Sequence, residues 1–320
     1  MTESRPFLSF CIPNYNMAPW LGGAIESALA ITGHDIEVVV AENASTDDSL
    51  AVASSFSSDR RFRLAGFDRH VPPIENLNRA VRASTGEWAV LLSADDVVSP
   101  VLADVVAEAA ARGATLIGSN VILVNAAGEP SRPHPGYGPH TYKGRAGLAK
   151  VATRRPFFLC GTAFRRSDFD KVGGMDPRWL TADHDFFIRV AGLPGAVPMQ
   201  DPRIGGTYFV DRGSTWTRLV KSGDDIRILG KMYQDRGMYR SLGIDRAVNR
   251  TLRGEAIHGV RKDLSRGDRA TACKRLRFTV SYARGLPRAA ALLDLLSVRL
   301  FGRVATPQLR SLLTTIFRAG

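Results

Sequence analysis

Cysteine is scarce in this sequence of 320 residues, and long apolar runs are missing. Cys11, Cys160 and Cys273 are odd in number and far apart, with no partner Cys or His at zinc-binding spacing. We therefore expect reduced thiols, the first two in the core. No apolar run approaches the roughly 20 residues of a membrane-spanning helix, and the N-terminal residues lack a signal-peptide pattern. These absences predict a cytoplasmic protein.

Familiar nucleotide-binding and nucleic-acid-binding motifs are also missing. The sequence has no P-loop, and no G-x-G-x-x-G follows a predicted strand, which argues against P-loop NTPases and NAD-dependent dehydrogenases. The C-terminal arginines are not interleaved with aromatic residues for base stacking and match no nucleic-acid-reading motif. We therefore expect no nucleic acid partner.

Positive charge is distributed unevenly along the chain. Residues 1–215 carry 21 Lys/Arg against 23 Asp/Glu, a balance of −2, whereas residues 216–320 carry 22 against 8, a balance of +14. The whole net charge of +12 therefore comes from the C-terminal third. This division predicts two regions, a domain over residues 1–215 and a basic helical region over residues 216–320 that faces an anionic surface.

Short apolar runs alternate with helical patterns over the first region. Strands are predicted at residues 7–12, 36–40, 62–67, 88–92 and 157–164, and a pair of strands within residues 115–125. The intervening segments show the apolar spacing of amphipathic helices. Such alternation is typical of an α/β fold, in which helices cover both faces of a mostly parallel sheet.

The predicted strand at residues 88–92 ends in two adjacent carboxylates. The sequence GEWAVLLSADD, residues 86–96, places Asp95 and Asp96 directly after the buried run. Ser99 is placed to cap the following helix and Pro100 to begin it. Ligands of open α/β sheets bind at the carboxyl ends of the strands, where this acidic pair would meet a phosphate-bound metal. A solvated turn with two incidental acids explains the segment as well.

Two further acidic clusters lie at predicted strand ends, at residues 42–48 and at Asp183 with Asp185. In a doubly wound sheet, such ends converge on one crevice. Carboxylates without Cys and with little His suit Mg²⁺ or Mn²⁺, which completes its coordination with substrate phosphates. Asp183 could supply a general base, while Asp185 is better explained as a charge at a helix N-terminus.

The pattern breaks at residues 126–142, which are rich in Pro and Gly. This segment is too long for a tight connection, so we expect a loop over a binding site. His134 and His140 within it are interpreted as loop residues rather than metal ligands, because no third ligand stands at a fixed spacing.

Five segments of the sequence occur in the order and with the spacing of a known family. They are FLSFCIPNYN, VVVAENASTDDS, ENLNRAVRASTGEWAVLLSADD, GTAFRRSDFDKVGGMD and TADHDFFIRVA. The first ~215 residues thereby resemble a family two glycosyltransferase with the nucleotide-sugar-binding GT-A fold. The resemblance implies inverting transfer of a hexosyl or deoxyhexosyl group from a UDP- or dTDP-sugar to a hydroxyl of a glycan or lipid-linked acceptor, as in polysaccharide biosynthesis.

The resemblance also implies roles for residues at matching positions. Asp95 would bind the metal, Mg²⁺ or Mn²⁺, and Asp183 would be the base that activates the acceptor hydroxyl. The remaining matching positions would border the nucleotide or its diphosphate: Pro13, Tyr15, Asn16, Glu42, Asn78, Ser93 and Asp96.

Four positions depart from the family's pattern. Glu42-Asn43-Ala44 stands where the family has Asp-Asp-Gly, and Ser93 stands for the first acid of Asp-x-Asp-Asp. Ala182 replaces the acid before the base, and Asp211 replaces a His that can bind diphosphate or metal. These departures keep an alternative open, a catalytically silent nucleotide-sugar-binding or scaffold protein of the same fold.

The basic C-terminal region shows amphipathic helical patterns. Leu292, Leu296 and Leu300 share one face of a segment flanked by arginines, and a last helix is predicted from Thr306 onwards. Basic amphipathic helices suit an anionic membrane surface, here the inner face of the plasma membrane. Docking of these apolar faces on the catalytic domain or on another subunit is the alternative.

Overall fold

The computed structural model describes residues 5–134, 136–210, 212, 220–235, 238–282, 286–306 and 308. The chain divides into two compact units, Met1–Gly213 and Ser214–Gly320. The boundary falls beside the division that the charge distribution predicts after residue 215.

The N-terminal unit alternates strands and helices. The strands are β1 (Leu8–Asn14), β2 (Ile36–Glu42), β3 (Phe62–Gly66), β4 (Trp88–Leu91), β5 (Val97–Val98), β6 (Leu116–Val124), β7 (His140–Thr141), β8 (Thr162–Arg165) and β9 (Pro198–Phe209). The helices are α1 (Ala18–Leu29), α2 (Ser49–Ser54), α3 (Pro73–Ala83), α4 (Val101–Ala111), α5 (Gly144–Arg154), α6 (Arg166–Val172) and α7 (Ala182–Ala191). A 3₁₀ turn, Leu159–Gly161, precedes β8.

These strands form one sheet in the order β3-β2-β1-β4-β8-β6-β9-β5, with β7 paired to β9. The half from β3 to β4 is parallel, and β2 is buried along its whole length. In the other half β8 runs antiparallel to both β4 and β6, while β9 runs parallel to β6. The α/β fold is therefore confirmed, and the antiparallel insertion of β8 is a feature that the strand-helix alternation does not reveal.

The strand pair predicted within residues 115–125 is wrong, because these residues form the single strand β6. Gly118, Ser119 and Asn120 are residue types that are common in turns, but here they belong to the strand. A Cβ at Gly118 would lie 2.6 Å from the Phe157 ring, so glycine is needed for close packing. Asn120 sits at a shift in the β6–β9 register, where a bulge interrupts the ladder.

Two local expectations at helix and strand ends also need correction. Strand β1 does not end before Pro13 but continues to Asn14. Proline is tolerated there because pairing of β1 with β4 already stops at Cys11, so the missing N–H interrupts no hydrogen bond on that side. Helix α4 begins at Val101 without a side-chain cap, and the Ser99 N–H instead donates to the Gly205 carbonyl at 2.9 Å.

The C-terminal unit is helical, as predicted. Its helices are α8 (Asp225–Asp235), α9 (Met238–Ser241), α10 (Asp245–Ser265), α11 (Arg269–Tyr282) and α12 (Leu286–Phe301). Val260, Leu276 and Val298 belong to its buried core. The helix predicted from Thr306 lies almost wholly outside the described residues. None of the helices within the described ranges has both the length and the apolarity needed to cross a bilayer.

A buried arginine ties three segments of the C-terminal unit together. The Arg275 side chain is 1% exposed and donates to Asp263 at 2.7 Å and to Asp225. Because Arg275→Met would leave two buried carboxylates without this cation, we expect the free energy of unfolding to fall by about 3–5 kcal/mol. Chemical denaturation of the full chain measures this loss. The matched variant Arg277→Met, at an exposed position of the same helix, should unfold like wild type.

Candidate functional site

The turns that follow β1 and β2 are tied together by buried hydrogen bonds. Glu42 is buried, and its carboxylate accepts from the Asn14 amide and from the Ser45 N–H, the latter at 2.6 Å. Asn14 also donates to the Ser45 hydroxyl at 3.3 Å. The structure thus places Glu42 at the carboxyl edge of the sheet, with both oxygens engaged in shaping the turn.

Asn16 continues this network on the solvent side. Its backbone adopts a left-handed conformation with φ 54°, as does Ala44 with φ 59°. The Asn16 side chain accepts from the Thr46 N–H at 2.7 Å, and its backbone N–H donates to the Ser45 hydroxyl at 3.0 Å. Strained backbone is retained where the surrounding structure fixes it. Both strained residues lie in the turns at the carboxyl ends of β1 and β2.

Tyr15 is the predicted nucleotide-binding residue that projects from this frame. Its side chain is 41% exposed and lies against the His70 ring, with the ring centroids 4.2 Å apart. Asn43 contacts a ring nitrogen of His70 at 3.1 Å and joins the Val71 backbone through two hydrogen bonds of 2.9 Å. Tyr15 and His70 together form an exposed aromatic surface beside Pro13. His70 is a site residue that the sequence interpretation missed.

Asn78, in contrast, is buried away from this surface. Its amide donates to the Met175 carbonyl at 2.8 Å, and its oxygen accepts from the Met175 N–H at the same distance. Both polar ends of the side chain are therefore engaged with backbone. The structure places Asn78 where it anchors the segment before α7, and it does not bring Asn78 into the group formed by Tyr15 and the turn residues.

Asp95 and Asp96 lie directly after β4, as the sequence indicates. Asp95 is half-buried, and Asp96 is 1% exposed. One oxygen of Asp96 accepts from the Phe209 N–H at 2.9 Å, and the Asp96 N–H donates to the Ser93 carbonyl at 3.0 Å. Burial raises the pKa of Asp95, and burial together with the neighbouring charge of Asp95 raises the pKa of Asp96 well above its ordinary value.

The acidic pair fits a hard divalent cation. The second oxygen of Asp96, Oδ2, is buried and has no hydrogen-bond partner within the described residues. A cation would satisfy this oxygen and offset the two adjacent charges. The described parts of the chain contain no group of three or more His, Cys, Asp or Glu placed to hold a metal. Two carboxylates suffice for Mg²⁺ or Mn²⁺ when substrate phosphates complete the coordination.

Arg212 lies beside the acidic pair and was not identified from the sequence. Its guanidinium donates to the Asp95 carbonyl at 3.1 Å and stacks on the Phe209 ring at 3.6 Å from the centroid. Its charge lowers the pKa of both carboxyls, although burial outweighs it. The available signal was its position three residues after the end of β9. Asp211, the neighbouring departure from the family pattern, lies outside the described residues.

Asp183 stands in the first turn of α7. Burial raises the pKa of its carboxyl, while hydrogen bonding to the His184 backbone and the charge of Arg155 act in the opposite direction. A raised pKa is typical of a carboxylate used as a general base near neutral pH. Arg155, a second residue that the sequence interpretation missed, ends α5 in a left-handed conformation with φ 48°.

The two residues after Asp183 are buried. His184 is buried beside the Ala152 carbonyl, 3.2 Å from its Nε2, and burial lowers the pKa of the imidazole to about 3. Asp185 is fully buried and pairs with Arg189 at 2.8 Å. Asp185 lies in the first turn of α7, as interpreted from the sequence, and its carboxylate also pairs with the Arg189 charge one turn further on.

A short segment, residues 155–160, connects the surroundings of Asp183 with those of the acidic pair. At its start, the Arg155 charge acts on Asp183. At its end, burial and then the charges of Asp96 and Asp95 raise the pKa of the Cys160 thiol. Five residues of extended chain span at most about 18 Å, which limits the separation of the two surroundings.

Of residues 126–142, predicted to form a loop over a binding site, residues 126–134 and 136–139 are irregular, whereas His140 is not a loop residue because His140–Thr141 form strand β7. The loop pairs with β6 through bridges at His134 and Pro130 and lines a shallow cavity of about 720 Å³. The β9 bulge at Pro202 and Ile204 forms the opposite wall. The His134 and His140 rings pack on Phe158 and Tyr142, respectively.

Comparison with known proteins identifies the family to which this chain is similar. Residues 9–173 match the model of the family described as glycosyl transferase family 2. The chain is 35% identical over 131 residues to the succinoglycan biosynthesis protein ExoO of Rhizobium meliloti, covering 41% of this chain and 37% of that protein. It is 28% identical over 196 residues to a PGL/p-HBAD biosynthesis glycosyltransferase of Mycobacterium bovis, covering 61% of this chain and 73% of that protein.

Two solved structures share the fold. TarS residues 1–349 of S. aureus, solved with UDP-GlcNAc, superposes with a TM-score of 0.63 at 14% identity, covering 98% of this chain and 87% of that one. The mannosyltransferase PcManGT of Pyrobaculum calidifontis, solved with GDP-Man and Mn²⁺, gives 0.59 at 17% identity, covering 99% and 85%. The chain spans little more than a third of the length of ExoO. The family match covers more than half of the chain, and the protein belongs to glycosyl transferase family 2.

Proposed function

We propose that this protein transfers a sugar from a nucleotide-diphosphate donor to a hydroxyl of a glycan or lipid-linked acceptor. The observation that carries the proposal is the buried acidic pair after β4, which has one unpartnered carboxylate oxygen and a guanidinium at its side. A metal-bridged diphosphate would satisfy both features. Family membership supplies the reaction class.

The donor nucleotide would lie at the carboxyl edge of the parallel half of the sheet. The exposed Tyr15 ring, supported by His70, offers a surface on which a base can stack. Aromatic rings stack on any base, so Tyr15 and His70 do not determine which base binds. We propose a UDP- or dTDP-sugar as the donor. The UDP-GlcNAc and GDP-Man bound to the two structural neighbours support a nucleotide sugar in general.

The reaction would proceed by direct displacement with inversion at the anomeric carbon. Asp183 accepts the proton of the acceptor hydroxyl as the hydroxyl oxygen bonds to that carbon. The bond from the anomeric carbon to the diphosphate oxygen breaks with its electron pair, which leaves a nucleoside diphosphate. Arg212 lies where its charge would stabilise the leaving diphosphate.

A divalent cation held by Asp95 and Asp96 would supply further stabilisation of the leaving group's charge. Asp95 is the more accessible of the two carboxylates and suits direct contact with a cation that is shared with phosphate oxygens. Asp96 is fixed by the Phe209 N–H, and its second oxygen, Oδ2, would help to hold the cation. The protein's contribution is to hold these two carboxylates close together in a partly dry environment.

Arg212→Met should slow sugar transfer roughly a hundredfold at saturating donor, because one cationic group at the leaving diphosphate is lost. Arg212→Lys, which keeps the charge without the flat guanidinium that stacks on Phe209, should recover part of the rate. Steady-state kinetics of nucleoside diphosphate release measures both. Equal rates for wild type and Arg212→Met would show that this arginine does not act on the leaving group.

Turnover of a donor panel tests the proposal itself. Wild-type protein is incubated with Mn²⁺ and a set of UDP-, dTDP- and GDP-sugars, and release of the nucleoside diphosphate is followed. We expect hydrolysis or transfer with at least one donor. Binding without any release would favour the alternative, a catalytically silent nucleotide-sugar-binding or scaffold protein, for which Ser93 and Ala182 are the residues to examine.

We further propose that the C-terminal unit attaches the protein to an anionic membrane surface, at the inner face of the plasma membrane. Leu292 and Leu296 on α12 are 41% and 53% exposed, and Phe301 at its end is 68% exposed. The helix also carries the exposed arginines Arg288 and Arg299. Apolar side chains flanked by arginines are typical of helices that lie in a membrane interface.

Vesicle flotation tests this attachment. Full-length protein should float with vesicles of anionic phosphatidylglycerol and not with neutral phosphatidylcholine. The double variant Leu292→Gln/Leu296→Gln should lose flotation, whereas the control Leu50→Gln, at an exposed leucine of the N-terminal unit, should not. Flotation of the double variant at the wild-type level would remove α12 as the membrane contact.

A further inference from the structure

A local concentration of positive charge stands beside the proposed base. Between Pro130 and Ser167 the chain has eight Lys/Arg and no Asp/Glu. This contrasts with the N-terminal region as a whole, in which acids slightly outnumber bases. The stretch includes the loop from residue 131 onwards, helix α5 and the segment that leads to the 3₁₀ turn. The positive charge of this stretch is therefore more than solubility requires, and it suggests an anionic ligand.

Two of the eight cations belong to the far edge of the sheet. Arg165 pairs with Trp88 in the β4–β8 register, at the amino end of β4, and its guanidinium lies 3.6 Å from Glu87. Arg166 pairs with Asp170. These arginines lie at the opposite end of β4 from Asp95, which leaves the cations of the loop and of α5 to be considered.

The last turn of α5 contacts the first turn of α7. The Ala152 carbonyl contacts His184, the residue after the proposed base, at 3.2 Å. Arg155 follows directly and its charge acts on both Asp183 and His184. Arg154 is exposed, and its charge acts on Tyr137 in the loop. The charges of these two consecutive arginines therefore act on the first turn of α7 and on the loop.

Arg155 holds this place at a conformational cost. Its φ of 48° is a left-handed conformation that arginine seldom adopts and that glycine would adopt without strain. Helices commonly end in this conformation with Gly or Asn. The presence of arginine here places a guanidinium at the side of the carboxylate proposed to meet the acceptor hydroxyl.

We propose that Arg154 and Arg155 bind a phosphate group of the acceptor. This inference rests on the proposed function, because Asp183 marks the acceptor side only if it is the base. A phosphate near an ionised Asp183 would be repelled, and two guanidinium groups offset that repulsion while binding the phosphate oxygens through charge-assisted hydrogen bonds. The acceptor class is thereby a phosphate- or diphosphate-bearing molecule rather than a neutral glycan.

The test compares a sugar phosphate with its neutral analogue. Glucose 1-phosphate and methyl glucoside are titrated calorimetrically into the protein with Mn²⁺ and saturating UDP and dTDP, which occupy the proposed donor site. We expect wild type to bind glucose 1-phosphate and not methyl glucoside. The affinity for glucose 1-phosphate should be at least tenfold lower in Arg154→Gln/Arg155→Asn. Asparagine is chosen at 155 because it tolerates the left-handed conformation. Arg155→Lys should retain affinity, and Arg112→Gln, an exposed control outside the stretch, should match wild type.

Three results would overturn the inference. They are equal affinity of the double variant and wild type for glucose 1-phosphate, equal binding of methyl glucoside, and no binding of glucose 1-phosphate by wild type. A phosphatidylglycerol-vesicle arm separates acceptor phosphate from lipid headgroups, since loss of vesicle binding alone in the double variant would also overturn it. Donor hydrolysis is followed in the same preparations as a separate readout of the donor site. Its absence from wild type would instead count against the proposed function.

Discussion

Asp183→Asn is expected to fold and bind a nucleotide sugar like wild type while losing sugar transfer by roughly a hundredfold to ten-thousandfold. The substitution keeps the shape and hydrogen-bonding capacity of the side chain and removes its ability to accept a proton, and general-base catalysis typically contributes this much. Donor affinity should be unchanged, because the proposed donor contacts lie with Tyr15, Asp95 and Asp96. Transfer kinetics and calorimetric donor binding, measured on the same protein, separate the two effects.

The pH dependence of transfer gives a second view of the same residue. Burial raises the pKa of Asp183, so the base would lose its charge at a higher pH than an ordinary aspartate does. At saturating donor and Mn²⁺, the kcat of wild type should therefore fall as pH decreases through this raised pKa, and this acidic limb should be missing from the residual activity of Asp183→Asn. Asp176→Asn, in the segment before α7, is the matched control and should keep the wild-type profile. A wild-type rate in Asp183→Asn would contradict the assignment of the base.

Asp95→Asn is expected to weaken cation-dependent donor binding by roughly a hundredfold, or about 2.7 kcal/mol. The cause is the loss of one of two carboxylates that share the cation with the donor diphosphate. Titration of donor at fixed Mn²⁺ measures the effect, and Asp104→Asn, an exposed acid on α4, serves as the control. Unchanged donor affinity across a Mn²⁺ titration would argue against a metal at Asp95.

Cation affinity should also rise with pH. Burial and mutual repulsion raise the pKa of Asp95 and Asp96, so protons compete with the cation below these raised values. Without a cation, a folded-state pKa above the unfolded value means that Asp96 contributes stability at low pH and loses it as pH rises through the folded pKa. The Mn²⁺-induced increase in Tm should therefore grow with pH over that window in wild type. It should be smaller in Asp95→Asn.

The parallel half of the fold is predictable because its signals are local. Strands β1, β2 and β4 are short apolar runs whose ends carry turn-forming polar residues, and the acidic pair marks the carboxyl end of β4. The antiparallel half is not, because β8 is placed by pairing with β4 and β6, which are far from it in sequence. Strand β6 is likewise predicted as two strands, because Gly118 and Asn120 are residue types that favour turns. Their packing against Phe157 and β9 is not visible in the sequence.

The same limit separates the site residues that were found from those that were missed. Asp95 and Asp96 stand out because they follow a buried apolar run, and Asp183 stands out because it lies in the family-like segment TADHDFFIRVA. The contact of Asn78 with Met175 joins residues 97 positions apart, and no pattern on either side indicates it. Arg212 and Arg155 are single cations among many. Arg212 differs from surface arginines only in its position after β9, and Arg155 only in its position at the end of α5.

The central claim is that a metal-bridged nucleotide sugar binds at the acidic pair after β4, and its most direct measurement is the Tm of wild-type protein with a panel of nucleotide sugars in the presence and absence of Mn²⁺. We predict that at least one UDP- or dTDP-sugar raises the Tm when Mn²⁺ is present and has a much smaller effect when a chelator replaces it. An unchanged Tm with every donor, or an equal increase with and without the metal, would contradict the account.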